Sequence, residues 1–223
     1  MRWLIVLGIT LLSQACVNQT QIAQDAVQSK FMLSNVNFRN IESFPGNLVC
    51  GEYTTSRRKN NYKRFIYILG DLNTQPSKED SLIFCGENAA QALYQIYGIN
   101  FNGEAGKKLL QVREDYLKLG AALDLYRAEN SFLPKTEQGL IALREPSAIA
   151  PKPRAFRDGG YIDEVPLDPW KRPYIYIGST YAGVHSPYKL LSLGADGQEG
   201  GIDENADIKS AYIKYINYVY TLN

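Results

Sequence analysis

The stretch Leu109-Leu110-Gln111-Val112-Arg113-Glu114-Asp115-Tyr116-Leu117-Lys118-Leu119-Gly120-Ala121-Ala122-Leu123-Asp124-Leu125-Tyr126 decides the fold. Leu109, Val112, Tyr116, Leu119, Leu123 and Tyr126 recur at alternating spacings of three and four. That period places one apolar stripe on an amphipathic helix of about six turns or more. Lys107, Lys108, Arg113, Glu114, Asp115 and Lys118 occupy the other face, and Gly120-Ala121-Ala122 leaves one side thin enough for another element to approach. The pattern starts near Gly103 and stops at Asn130 and Pro134, because proline cannot continue a helix.

Downstream, two β-rich runs are expected to form antiparallel strands, Pro173-Tyr174-Ile175-Tyr176-Ile177 and Tyr188-Lys189-Leu190-Leu191-Ser192, joined through a loop from Gly178 to Pro187. The reading is one long helix packed on a small antiparallel sheet. The tail Ala211-Tyr212-Ile213-Lys214-Tyr215-Ile216-Asn217-Tyr218-Val219-Tyr220 is β-prone. It is expected to cover its own core as a strand or helix, with an edge offered to a partner as the lesser alternative.

Upstream, Val36, Phe38 and Ile41 read as a short strand ended by Pro45-Gly46. Leu48 to Thr54 and Phe65 to Leu69 read as a hairpin around the basic stretch Ser56-Arg57-Arg58-Lys59-Asn60-Asn61-Tyr62-Lys63-Arg64, a solvated loop. Asp71 to Asp80 reads as a loop, Leu82-Ile83-Phe84-Cys85 as a strand and Ala89 to Tyr97 as a helix. The fold class is therefore α+β: a small disulfide-closed α+β domain at residues 29–100, then a second domain at 103–223.

The chain opens with Arg2 and about ten apolar residues, Trp3 to Leu12, too short to span a bilayer. Ser13-Gln14-Ala15 precedes Cys16, and Leu11-Leu12-Ser13-Gln14-Ala15-Cys16 resembles the lipobox of bacterial lipoproteins, although Leu12 sits four residues before the cysteine rather than three. Residues 1–15 are expected to be a signal peptide, Cys16 the lipid-carrying residue, and 16–28 a polar, Gln-rich tether. An ordinary cleaved signal is the alternative. This implies export to the periplasm and attachment to a membrane, the outer membrane first. With Cys16 lipidated, Cys50 and Cys85 remain, and an oxidising compartment predicts their disulfide.

Apolar residues make up 45% and charged residues 21%, which supports a buried core. Twenty-four basic residues against 23 acidic ones leave a net charge of +1, so no nucleic-acid partner is expected. Catalysis has little to stand on. His185, the only histidine, has no nucleophile spaced around it, and no phosphate-cradling, zinc or nucleophile-elbow motif occurs. We therefore expect no enzyme; an envelope hydrolase built on carboxylates is the weakest reading.

The chemistry sits in Ser192-Leu193-Gly194-Ala195-Asp196-Gly197-Gln198-Glu199-Gly200-Gly201-Ile202-Asp203-Glu204-Asn205-Ala206-Asp207-Ile208. Hard oxygen donors interleaved with glycines are what Ca²⁺ requires. An EF-hand is excluded: Gln198 and Gly200 stand at its third and fifth places and no entering helix precedes it. From composition, a solvated acidic turn and a cation site are equally good readings.

Several blocks resemble the major pseudopilin of type II secretion. They are Leu123-Asp124-Leu125-Tyr126-Arg127, Phe132-Leu133-Pro134, Thr136-Glu137-Gln138-Gly139-Leu140, Tyr161-Ile162, Val165-Pro166-Leu167-Asp168-Pro169-Trp170, Arg172-Pro173-Tyr174 and Ser192 to Gly201. The resemblance covers residues 112–208 and implies a pilin-like globular domain with one structural Ca²⁺. It implies side-chain ligands at Asp196 and Asp207, carbonyl donors at Leu193 and Gln198, and a further oxygen from Asp203 or Asn205. It implies protein partners in a secretion or pilus-like machine and a role in protein transport. The glycine–phenylalanine junction and long apolar helix that begin such pseudopilins have no match here. The first expectation is therefore a binding or accessory lipoprotein, the second a divergent filament subunit. Phe38-Arg39-Asn40-Ile41, Val49-Cys50-Gly51-Glu52 and Arg64-Phe65-Ile66 resemble a small uncharacterised family of exported domains, which implies export and no particular activity.

Overall fold

The structure, a computed structural model, describes residues 19–55, 61–178 and 188–222. The signal segment, Cys16, residues 56–60 of the basic stretch and His185 lie outside the described residues. Lys63 and Arg64, expected in the loop, instead open a strand paired with Tyr53 and Glu52. The chain divides into two compact units, Met1–Ala92 with Asn217–Asn223, and Leu93–Ile216.

In the first unit, residues 19–31 form helix α1. This corrects the expectation of a tether at 16–28. Ala23, Val27 and Phe31 recur every four residues, and the first two are fully buried against Val36, Val49, Tyr53 and Phe65. A thin apolar stripe outweighs the Gln-rich composition around it. Strands β1 (Asn37–Phe44), β2 (Leu48–Thr54), β3 (Lys63–Ile68) and β4 (Asp71–Asn73) make an antiparallel meander in that order. Pro45-Gly46-Asn47 turns β1 into β2, as the sequence suggests. A register shift between Arg39 and Glu42 bends β1. It brings Arg39 and Asn40 together on the Glu52 carboxylate.

Two expectations fail beyond β3. Asp71–Asn73 pairs with β3 through a two-residue turn, Leu69-Gly70, both at positive φ. Leu82-Ile83-Phe84-Cys85 is no strand; helix α2 spans Lys78–Phe84, and Cys85 caps its end. The start signal is Ser77: its Oγ accepts from the Asp80 amide at 2.9 Å while Asp80 Oδ2 accepts from the Ser77 amide at 3.0 Å. The Cys50–Cys85 disulfide is present, with Cα atoms 6.0 Å apart, and staples α2 to β2. Helix α3 is Ala89–Tyr97, opened by Asn88, whose Oδ1 accepts from the Gln91 amide.

In the second unit, helix α4 runs Gly103–Asn130, and all six predicted stripe residues are buried. Ser131, in the left-handed conformation, ends it and donates its amide to Arg127 O at 2.7 Å. Strands β5 (Ile175–Ile177), β6 (Lys189–Ser192) and β7 (Ile208–Lys209) form an antiparallel sheet in that order. Tyr116 joins helix to sheet: its ring meets Tyr174 edge-on at 5.2 Å, and its hydroxyl reaches the Ile208 carbonyl. The tail is helix α5, Ile213–Thr221, whose residues from Asn217 onward belong to the first unit. Tyr215, Ile216, Tyr218 and Val219 are buried at spacings of three and four, and that period prevails over the β propensity of tyrosine, isoleucine and valine. No described helix is long and apolar enough to cross a membrane.

Candidate metal centre

The connection from β6 to β7, residues 193–207, folds back on itself, with Asp196, Gln198 to Ile202 and Asn205 exposed. The Ala195 amide donates to Glu204 O at 2.6 Å. Gly194 lies so close to the returning strand that a Cβ there would come within 2.6 Å of the Asn205 carbonyl carbon, and its φ is +62°. Only glycine fits both demands. The returning limb is a single 3-10 turn, Asp203–Asn205. Glu204 anchors it to α4 through a 2.5 Å ion pair with Lys108, and the Lys108 hydrogen bond holds the Glu204 carboxyl below its ordinary range.

The six proposed ligands are distributed as follows. Asp196 is exposed and its Oδ1 accepts from the Gln198 amide at 3.0 Å, an aspartate turn. Asp207 Oδ2 accepts from the Gly200 amide at 3.2 Å, while its Oδ1 is buried with no donor. Asp196 and Asp207 therefore hold the same short arch, Gln198 to Gly200. Asp203 commits Oδ1 to Asn100 Nδ2 at 2.8 Å. Asn205 and Gln198 are exposed and Leu193 is half-buried. Among the described residues, no three carboxylate, histidine or cysteine side chains group closely enough to hold a metal by themselves. A cation here needs main-chain carbonyls as well. The donor chemistry fits a hard divalent ion on one specific ground: a carboxylate oxygen of Asp207 is buried without a partner, at a cost of about 1–3 kcal/mol.

Behind the loop stands the turn at Asp168-Pro169-Trp170. Asp168 is 1% exposed. Its Oδ1 accepts from the Trp170 and Arg172 amides at 3.0 and 2.9 Å, and its Oδ2 accepts from Ser192 Oγ at 2.8 Å. Trp170 is half-buried, with Lys108 Nζ 5.6 Å from its ring centre. Arg172 leaves this turn and donates Nη2 to the Gly194 carbonyl. Sequence reasoning missed Arg172, Lys108 and Asp168 as parts of the site; the Asp-Pro turn with an arginine four residues on was the available signal.

The remaining blocks fix the far end of α4. Asn130, fully buried, donates to Tyr126 O at 2.9 Å and Tyr161 Oη at 3.0 Å, and accepts from the Ala155 amide at 3.0 Å. Gln138 accepts from the Lys135 amide at 2.7 Å and donates to the carbonyls of Ile149 and Pro151 at 2.8 and 3.1 Å.

A long helix laid on a three-stranded antiparallel sheet, closed by an acidic glycine-rich loop, defines a pilin-like globular domain. The chain belongs to the type II secretion system protein G family: the profile described as "Type II secretion system (T2SS), protein G" matches residues 101–211. Type II secretion system core protein G of Pseudomonas aeruginosa is 42% identical over 101 residues, 45% of this chain and 69% of that protein. The Vibrio cholerae protein of the same name is 45% identical over 94 residues, 42% of this chain and 62% of that protein. A crystal structure of the major pseudopilin from the type 2 secretion system of enterohaemorrhagic Escherichia coli is 34% identical, with a TM-score of 0.39, covering 49% of this chain and 94% of that one. The sheet and helices of residues 19–100 lie outside the matched profile.

Proposed function

We propose that this chain is a non-catalytic component of a type II secretion or pilus-like envelope machine, stabilised in its second unit by one Ca²⁺. The observation that carries this reading is the 42% identity to a core protein G across 69% of its length. The calcium reading draws its support from the unpartnered Asp207 oxygen in a loop of oxygen donors. Asp196 and Asp207 would hold the ion through carboxylates and Leu193 and Gln198 through carbonyls, with Asp203 or Asn205 adding an oxygen. Bound there, the ion supplies charge neutralisation and a cross-link between the arch and β7.

The chain takes its place through protein contacts, as an accessory component, and lipid on Cys16 holds it at the periplasmic side of a membrane. The disulfide-closed unit of residues 19–92, with its own core, favours the accessory reading over the filament subunit. The filament reading has the identity to core protein G on its side. Purified protein sized with and without calcium separates them: a monomer under both conditions favours the accessory role, and polymers favour the filament. Thermal melts test the ion. Calcium is expected to raise Tm in the wild type and not in Asp207→Ala; equal melts of the wild type in calcium and chelator end the metal reading. Feeding cells a palmitate analogue tests the anchor, with label expected on the wild type and lost in Cys16→Ser.

A further inference from the structure

We propose that Arg172 is a positioning residue for the ion loop, holding the arch that follows Gly194 in its ion-ready shape before any ion binds. The proposal deepens the calcium reading and rests on it for its affinity arm.

Three observations point the same way. First, the Arg172 backbone cannot drift: its amide is held by Asp168 Oδ1 at 2.9 Å and its carbonyl accepts from the Asp168 amide at 2.8 Å. The same carboxylate holds Ser192 at the end of β6, immediately before the loop. Second, the side chain enters the loop itself. Nη2 donates to the Gly194 carbonyl, and the guanidinium lies so flat on Gly197 that a Cβ there would come within 3.2 Å of its central carbon. Third, Arg172 Nε is buried with no acceptor. The planar fork of arginine reaches a carbonyl while stacking on backbone, which a lysine ammonium cannot do.

The loop carries Asp196, Glu199, Asp203, Glu204 and Asp207. Without an ion these carboxylates repel one another and favour an opened loop. A cation tethered inside the loop opposes that opening, so the ion meets a curved backbone already in place and the ordering cost is not charged against binding. A role in charge balance alone predicts the opposite effect on affinity, because deleting a neighbouring positive charge strengthens cation binding.

The test compares wild type, Arg172→Met and Arg172→Lys by hydrogen exchange in chelator and by calcium titration calorimetry. Amide exchange at 194–207 in chelator is expected to quicken about tenfold in Arg172→Met, with calcium affinity falling about tenfold. Arg172→Lys keeps the charge without the fork, is the safer variant for folding, and is expected to fall between. Unchanged exchange in the loop overturns the proposal whatever calcium does. Tighter calcium binding by Arg172→Met also overturns it, in favour of charge balance. Equal Tm losses with and without calcium at constant affinity overturn it in favour of a merely structural arginine. Should the wild type bind no calcium, the calcium reading fails separately, and the exchange arm alone decides whether Arg172 grips the loop.

Discussion

The Tyr116 hydroxyl on α4 donates to the Ile208 carbonyl on β7 at 2.6 Å, buried from solvent. The bond links the middle of the long helix to the strand that follows the acidic loop. Burial pushes the Tyr116 phenol well above its ordinary value, which keeps it protonated and donating. Tyr116→Phe leaves a buried carbonyl without its donor and is expected to cost about 1–3 kcal/mol. Urea unfolding monitored by circular dichroism measures it; a variant as stable as the wild type contradicts the account.

A neighbouring carboxylate should shape the pH dependence. Asp115 accepts from Tyr174 Oη at 2.7 Å. Its pKa is raised from 3.8, chiefly by desolvation. Being raised in the folded state, it contributes stability that is full below pH 3.8 and is lost as pH rises through the folded pKa. Asp115→Asn still accepts the Tyr174 hydroxyl and has no charge to desolvate. Its Tm relative to wild type is therefore expected to climb between pH 3.5 and pH 7, a range bracketing ordinary carboxylate titration at about 4. A flat difference contradicts the assignment.

Reduction should loosen the first unit. The Cys50–Cys85 bridge closes a separation of 35 residues. Removing a native bridge from a small exported domain typically costs about 2–5 kcal/mol. Cys50→Ala with Cys85→Ala is expected to lose stability in that range, read as protease susceptibility of residues 19–92. Equal digestion rates for variant and wild type contradict it.

Gly139 offers a test of backbone strain without packing. It sits at φ +62° and ψ −177°, and a Cβ would meet nothing within 4 Å. Gly139→Ala is thus expected to destabilise through conformation alone, by about 1–3 kcal/mol. Thermal unfolding checks this; a neutral result places the strain elsewhere.

How far the fold could be read in advance varied with the kind of signal. Helix α4 was legible because an apolar repeat of three and four sustained from Leu109 to Tyr126 fits a helix and not a strand. Helix α2 was missed because four apolar residues, Leu82 to Cys85, carry no period, and the capping pair Ser77 and Asp80 was the better clue. In α5, the β propensity of tyrosine, isoleucine and valine left strand and helix both open, and the deciding signal was the spacing of Tyr215, Ile216, Tyr218 and Val219. At the acidic loop, residue types named the oxygen donors but not their commitments. Asp203 is claimed by Asn100, 103 positions away, and nothing local to either residue announces it.

Between Leu143 and Tyr161 the chain contains no helix or strand. It is nailed down at only a few points, chiefly the Gln138 amide on Ile149 and Pro151 and the Asn130 carbonyl oxygen on Ala155. A segment fastened at points rather than along its length can grow between its fastenings without disturbing the helix beneath. Extra residues between the exposed Glu145 and Pro146 would bulge outward at little cost, whereas the same residues placed between Ile149 and Pro151 would slide a carbonyl off its partner. New surface can therefore be added to this domain at the first position, and the scaffold underneath would go on folding as before.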